Sequence, residues 1–245
     1  MAPIIHCVRH AQGYHNLSVE NHCMPDPTLT AYGEEQCARL AHVFPYHKRV
    51  NLLVASPLRR TLYTTLYSFP SEIEKGIPVI ALPEAQETAD VPCDTGSDVD
   101  ILKKEMKGKP VDLSRVHEGW NSKTGRWAPT ADKLEERARE TRRWLKARKE
   151  KEIVLVTHGG FLHYFTEDWT DFKESLGTGW ANVEFRSYQF VDEKGDNASV
   201  VETKQSRELR RGTEKPLGKT ERMELRETAK KTWEDGKFEP VQAKV

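Results

Sequence analysis

No stretch of the sequence holds the roughly 18 consecutive apolar residues that a membrane-crossing helix needs. Its opening residues show no basic segment followed by an apolar core, the pattern of a secretory leader, so a cytoplasmic protein is expected. Cysteine is scarce. Cys7, Cys23, Cys37 and Cys93 form no C-x-x-C pair, and four in a chain of 245 residues make no disulfide framework. Net charge is absent as well: 38 Lys and Arg balance 38 Asp and Glu. No whole-chain field therefore draws in nucleic acid or an anionic membrane, and any attraction for an anion must be local. No internal repeat is visible, and the length suits one sizeable α/β domain or two small ones.

What is present is a set of short apolar runs that end in chemistry. Ile4-Ile5-His6-Cys7-Val8 reads as a buried strand and stops at Arg9-His10, with Gly13 and Asn16 soon after. Ile153-Val154-Leu155-Val156-Thr157 runs into His158-Gly159-Gly160. Leu52-Leu53-Val54-Ala55-Ser56 runs into Pro57-Leu58-Arg59-Arg60, and Ile77 to Leu82 ends at Pro83-Glu84. In open α/β sheets, ligands bind beyond the carboxyl ends of the strands. Four strands would thus bring Arg9, His10, Arg60, Glu84 and His158 to one sheet edge. A single histidine after a strand is usually only a satisfied polar residue; the convergence makes the functional reading the better one.

Arg9-His10-Ala11, Ser56-Pro57-Leu58-Arg59-Arg60-Thr61, Leu82-Pro83-Glu84 and Thr157-His158-Gly159 together resemble the histidine phosphatase (phosphoglycerate mutase-like) superfamily, in the family's order. Pro92-Cys93-Asp94-Thr95-Gly96 is most similar to its fungal phosphatase-like members, and Leu29-Thr30-Ala31-Tyr32-Gly33 fits its L-T-x-x-G segment. The resemblance implies a three-layer α/β/α sandwich with a mostly parallel central sheet. It implies His10 as nucleophile, Arg9, Asn16, Arg60 and Gly159 as phosphate-binding residues, and His158 as a stabiliser of the transition state. The family's L-x-E setting favours Glu84 as the proton donor, with Glu87 close enough to compete. The arginine four residues after the serine is Arg60, which leaves Arg59 for the surface.

The chain between and after these motifs divides as follows. A histidine phosphatase domain is expected over residues 1–203, with residues 84–130 as a cap-like insertion that sets specificity. Trp120 and Trp127 in the insertion argue against disorder; they can stack on a substrate, but core packing explains tryptophan equally well. Thr30 is a candidate helix N-cap, with Leu40, Val43 and Phe44 forming that helix's apolar face. A helix is expected from Thr130 to Lys149, with Leu134, Ala138 and Leu145 inward. Another opens at Gly159-Gly160, where free amides and the helix dipole favour an anion. Val183–Phe190 and Ser199–Glu202 read as a hairpin with its turn at residues 193–197. Residues 204–245 form a charged extension, read as solvated or loosely docked, with a short amphipathic helix at Met223, Leu225, Ala229 and Trp233.

Phosphoryl transfer requires an in-line nucleophile, positive charge around the equatorial oxygens and a proton for the leaving group. The expected activity is hydrolysis of a small phosphorylated metabolite, without metal or other cofactor, through a phosphohistidine on His10. A mutase on the same site is the alternative, weakened because Gln12 stands where the family often has glutamate. A metal-binding reading on His6, Cys7, His10, His15, His22 and Cys23 matches no zinc spacing, and Arg9 would repel a cation. His15 and His22 are candidates for the entrance of the crevice, with an exposed loop histidine the better reading for His22.

Overall fold

The computed structural model describes residues 2–169, 179–191, 195–211 and 216–234. Seven strands form one sheet: β1 (Ile4–Arg9), β2 (Leu52–Ala55), β3 (Val79–Ala81), β4 (Val111–Asp112), β5 (Glu152–Thr157), β6 (Phe185–Phe190) and β7 (Val200–Glu202). Their order is β4-β3-β2-β5-β1-β6-β7, and only the pairings made by β6 are antiparallel. The continuous apolar runs have a direct cause, because side chains alternate between two buried faces. Ile5, Cys7, Leu52, Val54, Ile153 and Leu155 enter one core; Val8, Leu53, Ala55, Val154 and Val156 enter the other. Helix α5 (Ala131–Lys146) and helix α6 (Gly159–Thr166) cover the first face, through Leu134, Ala138, Leu145, Phe161 and Phe165. Helices α1 (Ala31–Val43), α2 (Arg59–Ser68) and α4 (Val99–Glu105) cover the second, through Leu40, Leu62 and Leu102, while the short α3 (Pro70–Glu74) follows α2. The result is the expected three-layer α/β/α sandwich.

Thr30 caps α1 as expected, its hydroxyl accepting from the Gly33 amide at 3.0 Å. Leu40 and Phe44 are buried, but Val43 is exposed and does not belong to the inward face. The insertion is less of a lid than its length suggests: β4 extends the sheet edge and Leu102 of α4 sits in the core. Trp120 is a packing residue, fully buried, with its indole N–H donating to the Ser97 carbonyl. Trp127 is half-buried beneath the Arg126 guanidinium.

The described residues of the charged extension, 204–211 and 216–234, are docked on the fold. Helix α7 (Lys204–Arg211) is tied to β6 by Ser206, whose hydroxyl accepts from the Ser187 amide at 3.0 Å. Helix α8 (Lys219–Glu234) buries Ala229 against the α5 side, while Arg226 pairs with Glu135 and Arg222 donates to the Val200 carbonyl. Met223 and Leu225, expected on its apolar face, are exposed. Residues 193 and 194 of the expected hairpin turn and the side chain of Trp233 lie outside the described residues.

Candidate active site

Strand register assembles the site. Arg9 of β1 is level with Thr157 of β5, Ala55 of β2 with Val156, and Ala81 of β3 with Ala55. The next residue of each chain, His10, His158, Ser56 and Leu82, leaves the sheet at the same edge. His10 and His158 stand side by side with ring centroids 5.2 Å apart, and the His15 ring lies 5.3 Å from that of His10.

The protonation pattern of His10 follows from its partners. Nδ1 lies 2.7 Å from the Ala11 carbonyl, which can only accept, so Nδ1 carries the proton and Nε2 the lone pair. Arg60, entirely buried at the start of α2, donates from Nε to that Nε2 at 3.3 Å. Burial, with Arg60 and Arg9 close by, holds the imidazole well below the ordinary histidine range, so it is neutral at neutral pH. His158 is likewise held far down by burial and by Arg60. Its Nε2 lies 2.8 Å from the Ser56 hydroxyl, which itself accepts from the Leu58 amide at 3.4 Å. The Ser56 O–H is free to donate to Nε2, and in that tautomer His158 Nδ1 carries the hydrogen. That Nδ1 is buried without a partner.

The two carboxylates separate cleanly. Glu84, on a 3₁₀ turn over Pro83–Ala85, has one carboxylate oxygen 3.3 Å from Arg126, which also pairs with Glu140 of α5, while its other oxygen is buried without a hydrogen bond. Glu87 is the one that reaches the crevice. Its carboxylate accepts from the Gly160 amide at 3.3 Å and the Phe161 amide at 2.9 Å. The expected anion site at the start of α6 is therefore filled by the chain's own side chain, and Gly159 supplies the remaining first-turn amide. Burial and then Asp94 raise Glu87 above the usual carboxylate range, against the pull of Arg60 and the α6 amides.

Arg9 donates to the Trp180 carbonyl and lies close enough to Glu87 and Arg60 for their charges to act on it. Asn16 accepts from the Gly13 amide at 3.0 Å, bracing the loop after His10. Gln12 faces α1, its side-chain oxygen accepting from Thr30. Arg59 turns away and pairs with Glu105. His22 is half-buried on the loop beyond His15. Of the residues weighed as metal ligands only His10 and His15 stand together: His6 bonds Ser187 and Glu152 and stacks on Tyr46, and Cys7 enters the opposite core.

A family model of the histidine phosphatase superfamily (branch 1) matches residues 5–204. The chain belongs to that superfamily. It is 30% identical over 209 residues to a protein named "Probable phosphatase" in Schizosaccharomyces pombe, covering 80% of this chain and 95% of the relative. It is 29% identical over 243 residues to "Phosphoglycerate mutase-like protein 1" of Arabidopsis thaliana, covering 81% and 85%. Among solved structures it shares its fold with the ecdysone phosphate phosphatase of Bombix mori in complex with tungstate (TM-score 0.52, 12% identity, 76% of this chain and 89% of that one). It shares it also with a mycobacterial glucosyl-3-phosphoglycerate phosphatase complexed with VO3 (TM-score 0.50, 22% identity, 81% and 95%).

This histidine phosphatase superfamily member has four further residues at the site that sequence reasoning did not pick out for a role. Ser56 orients His158. Arg137 of α5, buried, donates to the carbonyls of Glu84, Gln86 and Glu87 and so fixes the turn that presents Glu87. Lys123, 6% exposed with a left-handed φ of 53°, donates to the Glu87 carbonyl at 3.0 Å, and burial lowers it to about 8. Asp94 pairs with Arg60 at 3.0 Å. Ser56 and Asp94 fell within quoted motifs; Arg137 and Lys123 carried no local signal, since an arginine on an amphipathic helix and a lysine in a loop are ordinarily solvated.

Proposed function

We propose that the chain hydrolyses small phosphate monoesters through a phosphohistidine on His10, without a metal ion. His10 Nε2 gives up its hydrogen bond from the Arg60 Nε–H and attacks phosphorus as the P–O bond to the alcohol breaks, and the alkoxide leaves with a proton from Glu87. Glu87, now ionised, takes a proton from water, whose oxygen attacks phosphorus; the P–N bond breaks, orthophosphate leaves and Glu87 is protonated again. Arg9, Arg60 and His158 Nδ1–H meet the charge that spreads over the equatorial oxygens. Neutral His10 at rest suits attack, and a carboxyl raised by burial suits proton donation at the pH where His10 is neutral.

The observation that carries this reading is the state of His10: one nitrogen tied to Ala11, the other a lone pair set against the Arg60 guanidinium. The proton donor in this reading is Glu87 and not Glu84, because Glu87 sits at the start of α6 beside His158 with its charge felt by Arg9 and Arg60, while Glu84 pairs with Arg126. The test is acid quenching with a ³²P-labelled monoester. Label on the protein, release of phosphate with no isomerised ester, and loss of both in His10→Ala are the expected results. Turnover in His10→Ala at the unmodified rate would overturn the mechanism, and isomerised product in place of phosphate would overturn hydrolysis.

A further inference from the structure

Arg60 is held from three sides. Its Nε donates to His10, Nη1 to the Cys93 carbonyl, and Nη2 to Asp94 Oδ1 at 3.0 Å. Of the five N–H groups of a guanidinium, these three are spent, which leaves two, one on each Nη, for a ligand. Cys93 and Asp94 both belong to the 3₁₀ turn Pro92–Asp94 in the insertion, more than thirty residues along the chain from Arg60. That turn is pinned in its own right: the Asp26 amide donates to the Pro92 carbonyl, and Asp26 accepts from the amide and hydroxyl of Ser97.

We propose that Asp94 is a positioning residue for phosphoryl transfer: from the inserted turn it sets the rotation of the Arg60 guanidinium, so that its free N–H pair faces the phosphoryl group bound beside His10. The inference rests on the function proposed above and adds to it a residue of the insertion that acts through Arg60. A guanidinium is a planar fork whose two-point recognition of phosphate depends on its rotation about the side-chain axis. Asp94 and the Cys93 carbonyl hold the two terminal nitrogens of that plane, and His10 holds its Nε. The carboxylate also balances a guanidinium that is otherwise buried against an imidazole, where an unpaired cation would be costly.

Charge supplies an independent readout. The groups bearing on Glu87 are Asp94, Arg60, Arg9, Arg137, Lys123, Cys93 and the amides of Thr88 and α6; those bearing on His10 are Arg60, Arg9, His15 and His158. Removing the Asp94 charge leaves Arg60 uncompensated. Both His10 and Glu87 then lose protons more easily, so both limbs of a bell-shaped pH profile move to lower pH.

Binding of inorganic phosphate to the full chain, measured by calorimetry, tests the geometry without requiring turnover. Asp94→Ala is expected to weaken phosphate by about 10- to 100-fold. In an Arg60→Ala background the same substitution is expected to change nothing, since Asp94 acts through Arg60. Equal weakening in both backgrounds, or none in either, overturns the proposal. Asp94→Asn keeps the shape and an acceptor for Nη2, so it remains informative where the alanine variant does not fold. It is expected to hold phosphate within about threefold while both pH limbs of ester hydrolysis shift to acid. Unmoved limbs overturn the proposal. Failure of the underlying function is distinguishable, because it appears in the unmodified protein as absence of phosphate binding or of ester hydrolysis.

Discussion

At the scale of single residues, the sharpest distinction lies between Glu84 and Glu87, three positions apart on one turn. Glu87→Gln is expected to slow esters with poor leaving groups by about 10²–10⁴-fold and p-nitrophenyl phosphate far less, because nitrophenolate leaves without a proton. Glu84→Gln should leave both rates close to the unmodified protein. Steady-state kinetics on two substrates decides it, and the reverse pattern would return the role to Glu84. The sequence placed both carboxylates near the strand exit but could not say which one the turn aims inward. Lys123 offers a second test. Below pH 8 the folded chain must keep its buried ammonium charged, and holding that lysine at about 8 rather than 10.5 costs up to about 3 kcal/mol at neutral pH. Lys123→Met is therefore expected to melt higher at pH 7, with the gain fading as pH rises from 8 towards 10.5, and to lose kcat/KM. The Glu87 carbonyl keeps its bond from Arg137, so no buried acceptor is stranded. A lower melting temperature at pH 7 would show that the lysine serves stability instead.

At the scale of elements, α1 and the loop after His10 meet with no space between them. A Cβ on Gly33 would fall 2.1 Å from the Gln12 carbonyl oxygen. That oxygen also accepts from the Thr30 amide at 3.0 Å, so it cannot move without losing that bond. Gly33→Ala is expected to cost about 1–3 kcal/mol and to lower kcat, because the loop it displaces carries His10 and His15. Thermal melting and kinetics check the two effects, and an unchanged melting temperature would mean that the loop yields freely. The L-T-x-x-G pattern was legible in the sequence, as was the Thr30 cap. Why position 33 must be glycine was not, since the clash is with a carbonyl more than twenty residues earlier.

At the scale of the whole molecule, the site leaves a mark on acid stability. His6, His10, His15 and His158 are all buried and shifted downward. The unfolded chain takes up protons near pH 6.5 that the folded one refuses, so stability falls as pH drops below 6.5. Each such histidine costs about 1.4 kcal/mol one pH unit lower. Asp26 and Glu87, shifted upward, act in the opposite sense and offset part of the loss. A marked fall in melting temperature between pH 6.5 and 5 is expected by calorimetry; a flat curve would mean that the fold accepts those protons. The charge balance of the chain had no bearing on this, because the effect comes from where the imidazoles lie and not from their number.

Apolar runs alone marked six of the seven strands, their two-faced burial and the exits that carry Arg9, His10, Arg60 and His158; β4 (Val111–Asp112) was not among them. Those are local facts: apolar runs of strand length, each ending in a polar residue, have few other solutions in an α/β chain. Tertiary structure alone decided that Glu87 and not Glu84 enters the crevice, that its carboxylate fills the start of α6, and that Asp94, Lys123 and Arg137 close around the site. It also docked the charged tail through Ala229 and ion pairs, with Met223 and Leu225 left outside. Each of these depends on which way a turn faces and on what distant backbone it meets, and side-chain type and spacing carry neither.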